Sequence, residues 1–357
     1  MKNYCFLLFT TIAISSKGQI DTVPALKISG YIETYYIYDF GNPVNHNRPD
    51  FIYSFNRHNE INLNLAYINA SYEKSNVRAN LALMTGTYAN ANLVAEPGVL
   101  KNIFEANAGV KISKNKNLWI DAGIFASHIG FESAIGAETW NLTRSILADN
   151  SPYYESGVKI TYISDNEKWL FSGLLLNGWQ RIQRIRGNQT PAFGHQFTYK
   201  INNRITLNSS SFIGNDYPAI NKRMRYFHNF YGIFQLNEKM GFTTGFDLGF
   251  EQKTKGSSIY HIWYSPVIIM RAGLTERLFL AARVEYYSDL NEVIISTNTA
   301  NGFQTYGYSL NLDYSIRENV LWRIEARTFN GRERIFLMNN IPSQNNYFVG
   351  TSLTVSF

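Results

Sequence analysis

The connections in this chain alternate long and short, and no other feature narrows its fold as much. Between them lie about sixteen segments of alternating apolar and polar residues, close to the ten or so residues of a tilted membrane strand. They fall at 26–40, 59–73, 76–86, 104–113, 118–126, 152–163, 168–178, 191–201, 204–213, 225–236, 240–251, 258–271, 276–287, 303–316, 320–330 and 345–357. The short connections read EKSN (73–76), KNKN (114–117), SDNEK (164–168), NN (202–203), NEK (237–239), AGLTE (272–276) and REN (317–319). The long ones are 41–58, 87–103, 127–151, 179–190, 214–224, 252–257, 288–302 and 331–344. All short turns therefore lie at one end of the sheet and all long loops at the other. A closed antiparallel transmembrane barrel has this asymmetry. A sandwich or a propeller has no reason to keep it over eight hairpins, and no repeat of fixed period is present.

The faces of the segments agree. In 276–287 one face carries Leu278, Leu280, Ala282, Val284 and Tyr286, and the other carries Arg277, Arg283 and Glu285. In 320–330 Val320, Trp322, Ile324 and Ala326 oppose Arg323, Glu325 and Arg327. An Arg or Lys on a lipid face costs about 2–4 kcal/mol at mid-membrane. The charged faces are therefore expected to point inward. The chain ends in the same pattern, with Val349, Thr351, Leu353, Val355 and Phe357 against Phe348, Gly350, Ser352, Thr354 and Ser356. Such a strand is expected to return to the short-turn side and pair with the first, leaving Phe357 at the membrane interface, where aromatics are favoured.

The first residues, MKNYCFLLFTTIAISSKGQI, have a basic start, a short apolar run and then small residues. This predicts a secretory signal peptide over 1–18, cleaved before Gln19, followed by a single barrel domain over 19–357. The only cysteine, Cys5, falls inside that leader, so no disulfide or thiol chemistry is expected of the mature chain. Without the leader the chain carries 31 basic and 27 acidic residues, too mild an excess to argue for nucleic acid. Beyond residue 18 no apolar run is long enough for a spanning helix, which leaves a closed barrel as the only way across a membrane.

Three stretches carry a more specific likeness: SGYIETYYIYDF (29–40), RHNEINLNLAYI (57–68), and GIFASHIGFES (123–133) followed by TWNLTRSILADNSPYYESGVKITY (139–162). Together they resemble the β-barrel porin-2 family, the OmpL-like porins of Bacteroidetes-type bacteria, and the likeness covers essentially the whole mature chain. The resemblance implies an outer-membrane barrel that lets small solutes diffuse, and it supplies no catalytic residues. The terminal strand ending in Phe357 resembles the assembly signal of bacterial outer-membrane barrels. That likeness implies a Gram-negative outer membrane and insertion by the barrel-assembly machinery.

Sixteen strands enclose a lumen too wide for side chains to fill, so water is expected inside, and the chain has no separate domain to plug it. The loop 127–151 is the best candidate for a constriction. Its Trp140, Leu142, Ile146 and Leu147 suit packing against the wall, and it carries Glu132, Glu138, Arg144 and Asp149. Folded inward, it would set carboxylates across a gap from wall cations, a transverse field that orients dipolar solutes. The pore-lining set is expected to be Arg78, Lys111, Lys159, Arg271, Arg283, Arg323 and Arg327 with Glu33, Glu105, Asp121, Glu155, Glu285, Asp313 and Glu325. Neither sign dominates, so strong ion selectivity is not expected. Some of these charges pair across neighbouring strands on this reading. The loop 179–190 gathers Arg181, Arg184 and Arg186 without an acid, which reads first as a solvated surface loop and alternatively as a basic mouth for anionic solutes or lipopolysaccharide phosphates.

Other functions leave weaker traces. A barrel enzyme acting on lipids would need Ser and His on an outward patch. Most of the six histidines are scattered, and strand parity gives no Ser–His–carboxylate set there. His58-Asn59-Glu60 is too small a cluster for a metal site, and no cofactor is expected. A non-conducting barrel that binds a partner through its long loops is the main alternative. A homotrimer follows only by analogy with other porins.

Overall fold

The computed structural model describes residues 25–357, so the expected leader and its cleavage site lie outside the described residues. Sixteen strands form one closed antiparallel barrel. In chain order they are β1 (Leu26–Asp39), β2 (Ile61–Lys74), β3 (Val77–Thr85), β4 (Ile103–Lys111), β5 (Asn117–Ala126), β6 (Tyr154–Ile163), β7 (Trp169–Leu176), β8 (Ala192–Asn202), β9 (Ile205–Gly214), β10 (Arg225–Gln235), β11 (Met240–Gln252), β12 (Tyr260–Gly273), β13 (Leu278–Asp289), β14 (Phe303–Arg317), β15 (Val320–Gly331) and, after the last long loop, β18 (Asn345–Ser356). That last loop holds a small hairpin, β16 (Phe336–Met338) with β17 (Ile341–Ser343), which the alternation did not foreshadow. Two short α-helices, α1 (Thr87–Asn92) and α2 (Ile146–Asp149), sit in long loops.

Neighbours in sequence pair as hairpins, and β18 closes the ring between β15 and β1. In the closing seam Tyr31 lies opposite Ser356 and Asp39 opposite Phe348. Gly30 and Phe357 exchange backbone hydrogen bonds of 2.7 and 3.0 Å. The Phe357 ring lies over Gly30, where a Cβ would meet it at 2.3 Å, so a larger residue at 30 must push the ring aside. The short turns have the chemistry they need. Ser75 and Asn76 both have positive φ (52° and 66°), which suits the twist of a two-residue hairpin. Asn237 accepts from the backbone N–H groups of Lys239 and Met240 (2.9 Å each).

Strand alternation sorts the faces as expected. On β14, Thr305, Ser309, Asn311 and Asp313 are buried on the lumenal side, while Tyr306, Tyr308 and Leu310 are exposed outside. The interior departs from expectation in one respect. A contiguous apolar cluster fills the lumen toward the long-loop end. Phe212, Phe227, Trp263, Phe303, Phe329 and Phe348 enter it from the wall, and Phe51, Ile52 and Phe55 enter it from the first long loop, 41–58. Phe51 packs against Phe303, Phe329 and Phe336 with ring centroids 4.8, 5.6 and 6.1 Å away. Long loops thus supply what no separate plug domain provides. Burying such rings is worth roughly 25 cal/mol per Å² of apolar surface, which favours folding this loop inward over leaving it in water.

Candidate functional site

The loop 127–151 folds into the lumen, and its path is fixed by polar contacts at every stage. At its start the His128 carbonyl accepts from Ser210 Oγ (2.7 Å), and His128 Nε2 meets the Ser211 carbonyl (2.8 Å) on β9. Burial pushes the His128 pKa down to about 4, so the ring is neutral. Gly130 then donates to Asn229 on β10 (3.2 Å), and Phe131 packs on Tyr231 with centroids 5.6 Å apart. Arg144 is fully buried and serves the loop itself. It donates to the carbonyls of Ser133 (2.6 Å), Leu142 (2.8 Å) and Ala134 (3.0 Å). Ser145 caps α2 by accepting from Ala148 N–H (3.1 Å), while Glu132 accepts the Ser145 N–H (3.1 Å).

The far side of the loop docks on β13–β15. Arg283 donates to the Thr143 carbonyl (2.7 Å), and Arg327 to that of Arg144 (2.8 Å). Arg323 donates to those of Gly136 and Thr139 (2.7 Å each). In return Glu325 accepts from Thr143 N–H and Glu285 from Ile146 N–H (2.6 Å each), and Asn311 accepts from Leu142 N–H (3.0 Å). The same charges pair with one another: Arg323 with Asp313 (2.7 Å), Arg283 with Glu325 (3.0 Å) and Arg327 with Glu285. Buried charge is tolerated only when paired and hydrogen-bonded, and here the loop backbone completes the pairing.

The structure thus separates the expected pore-lining residues into two groups. Arg283, Arg323, Arg327, Glu285, Glu325 and Asp313 lie on the lumenal face but beneath the loop, each under 5% exposed. Glu33 is also buried, accepts from Asn64 (2.8 Å) and abuts Gly136 of the loop; Glu155 is buried too. The remaining cations and Glu105 stay partly open, while Asp121 is buried. Arg78 pairs with Asp121 (2.5 Å) and lies over Trp119. Glu105 accepts from Asn80 (2.5 Å), and Lys159 lies over Phe125. Lys111 and Arg271 are half-buried, the latter over Phe279. Of the four charges on the loop only Glu138 is exposed; Glu132 and Arg144 are buried as above, and Asp149 accepts from Ser54 of the first loop (3.0 Å).

A cavity of about 420 Å³ remains between the loop and the wall, bordered by Glu105, Glu132, Glu138, Tyr153 and Tyr231. A second, of about 230 Å³, opens toward the short-turn end beside Glu138, Arg271 and Asp313. Glu138 borders both. At the long-loop end a recess of about 350 Å³ lies between Asp39, Arg48 and Asp50 and the rings of Phe51, Phe303 and Phe336. In the basic mouth loop, Arg181 and Arg184 are half-buried and Arg186 is exposed.

Four histidines have structural or peripheral places. His58 Nδ1 accepts from Asp39 N–H (2.9 Å), and Glu60 pairs with Arg57 (2.8 Å), which accounts for that short polar cluster. His46 contacts the His58 carbonyl, His128 anchors the inserted loop, and His261 is half-buried at the start of β12. The other two form a pair. His195 and His228 both face outward and meet Ser209 and Ser211 between them. Parity marks each of these residues as outward, but only the register of β8, β9 and β10 brings them together.

The sequence profile of the beta-barrel porin-2, OmpL-like family matches residues 25–357. No curated protein matches the chain in sequence. Solved structures share the fold at low identity. An anion-selective porin from Comamonas acidovorans aligns with TM-score 0.61 and 7% identity over 93% of this chain and 99% of that one. OmpF of Salmonella typhi, in complex with daunomycin, gives 0.60 and 10% over 93% and 97%. A trimer form of OmpT, an outer membrane protein of Vibrio cholerae, gives 0.58 and 10% over 93% and 99%.

Proposed function

Because the chain belongs to the beta-barrel porin-2, OmpL-like family and is an outer-membrane channel, we propose that it passes small hydrophilic solutes by passive diffusion, with loop 127–151 as its constriction. One observation carries this reading: Glu138, the one exposed charge among the four candidates on that loop, borders both cavities left between loop and wall. The route runs from the side of Glu105 past Glu138 toward Arg271, with Arg78, Lys111 and Lys159 half-open on the neighbouring wall; both signs meet water, which supports weak ion selectivity. No catalytic role is proposed. Cleavage of the leader before Gln19, insertion by the barrel-assembly machinery through the Phe357 strand, and assembly as a homotrimer complete the reading; a trimer form among the structural neighbours is in keeping with the last.

The apolar cluster at the long-loop end favours a second reading, a closed barrel that binds a partner through its loops. Single-channel conductance of the refolded chain in a planar bilayer, under a salt gradient, separates the two. Small, stable conductance with a reversal potential near zero supports the porin. A heat-modifiable, folded barrel that never conducts supports the loop-binding barrel.

A further inference from the structure

Lipid-facing positions in a barrel wall are apolar, with Thr tolerated where its hydroxyl bonds back to the backbone. The outward face of β8–β10 breaks that rule. His195, Ser211 and His228 lie side by side across three strands. Ser211 Oγ is 2.6 Å from His195 Nδ1, and Ser209 Oγ lies between His195 Nε2 (3.2 Å) and His228 Nε2 (2.9 Å). The four groups form one chain of hydrogen bonds. With one proton per ring and per hydroxyl, either direction of the chain leaves a donor at one end without a partner. In hydrocarbon that donor is strongly disfavoured unless a neighbour accepts from it.

The surroundings indicate the neighbour. Gly173 on β7 lies next to His195, and a Cβ there would meet nothing within 4 Å, so the surface is notched. Exposed Phe171, Phe193 and Phe230 border the patch. Above it, at the long-loop end, the two loops that join β7 to β8 and β9 to β10 touch through a backbone bond from Ala219 to Gly187 (2.9 Å). They carry Arg184, Arg186, Lys222 and Arg223. Apolar notch, acyl-level hydrogen bonds and basic loops thus follow one another along one side of the barrel.

We infer that this side is a site for one lipopolysaccharide molecule, its lipid A phosphates at the basic loops and an acyl-linkage carbonyl on the His195–Ser209–Ser211–His228 chain. The inference rests on the porin orientation, with the long loops in the outer leaflet. Hydrolysis of the lipid is not part of it. No carboxylate lies within hydrogen-bonding distance of either ring among the described residues, and strand pairing occupies the backbone N–H groups that an oxyanion would need.

The test is native mass spectrometry of the folded barrel in detergent with added bis-phosphorylated, hexa-acyl lipid A or diacyl phosphatidylethanolamine. Compared with wild type, His195→Leu/His228→Leu and Arg184→Ala/Arg186→Ala should each retain about tenfold less lipid A, with retention of phosphatidylethanolamine unchanged. Ser209→Ala/Ser211→Ala provides a milder version of the first pair, and heat-modifiable migration verifies folding. Equal retention by wild type and both double variants overturns the site. So does an equal loss of both lipids, or a histidine-dependent oligomer with unchanged lipid A, which would assign the patch to a second copy of the chain. None of these outcomes depends on conductance, so the site and the channel reading fail independently.

Discussion

The two sides of the lumen carry the same kind of residue and use it differently. On β13–β15, arginines and carboxylates alternate with apolar residues and end up under 5% exposed, tied to the backbone of the inserted loop. On β3–β6 the same alternation leaves Arg78, Glu105, Lys111 and Lys159 partly in water, with Asp121 and Glu155 buried among them. On the proposed reading, the first side is scaffold and the second borders the conduit. A lumenal charge is thus not by itself a channel residue; what covers it decides its role. The transverse field expected from loop carboxylates facing wall cations is largely discharged, because Glu132 and the wall arginines are in contact or share partners rather than facing each other across water.

The sharpest way to break this contrast is Arg323→Ala. It removes two carbonyl contacts to the loop and strands Asp313, a loss of about 3–5 kcal/mol for an uncompensated buried charge. The expected result is a released loop, with conductance severalfold higher and noisier and a lower denaturation midpoint. Unchanged conductance with reduced stability would mean that the loop does not set the pore. Next in size is Glu138→Gln on the conduit side, expected to move the reversal potential toward anions by several millivolts in a tenfold salt gradient, with stability within about 0.5 kcal/mol of wild type.

A smaller effect concerns pH. Burial pushes the Asp149 carboxyl up to about 7, opposed by Arg144 and Arg327 and by the Ser54 hydroxyl, with Glu132 adding repulsion. Arg48 and Tyr53 from the first loop, Tyr153 and Arg283 also face it. Its docked pKa lies above the unfolded value, so the docked loop binds the extra proton. The penalty for docking is therefore full above about pH 7 and is relieved as pH falls toward the unfolded pKa. Hydrogen exchange at Ser145–Asn150 should slow on acidification from pH 8 to 5, after correction for intrinsic rates, and Asp149→Asn should flatten the change. The smallest effect is expected from Lys111→Glu, a half-buried conduit residue: a slight cation preference and a stability change below about 0.5 kcal/mol.

Period-two alternation and turn composition made the barrel legible almost residue by residue. The segment 303–316 became Phe303–Arg317, and 225–236 became Arg225–Gln235. Both report local physics, a choice of solvent on each face and a demand on φ at each turn. The interior was less legible for the same reason. Parity places Arg323 and Lys111 on the same face, but the cover over Arg323 comes from Gly136, 187 residues earlier in the chain. Phe51 and Phe55 carry no signal of their own in the sequence, because no periodicity marks a loop that folds into a barrel. The Ser–His chain on β8–β10 was hidden by register, since each residue had the right parity but nothing local aligned three strands.

The docking contacts of loop 127–151 also bear on how the barrel assembles. Its partners on β13 and β15 lie 139–187 residues further along the chain. The loop emerges early and cannot settle until the last third of the wall is in place. Contacts of such high sequence separation are made late and slowly. Ring closure at the Gly30–Phe357 seam and seating of the loop should therefore be one event, so a half-built barrel would hold its aromatic loops exposed and depend on whatever shelters them until the final strand arrives.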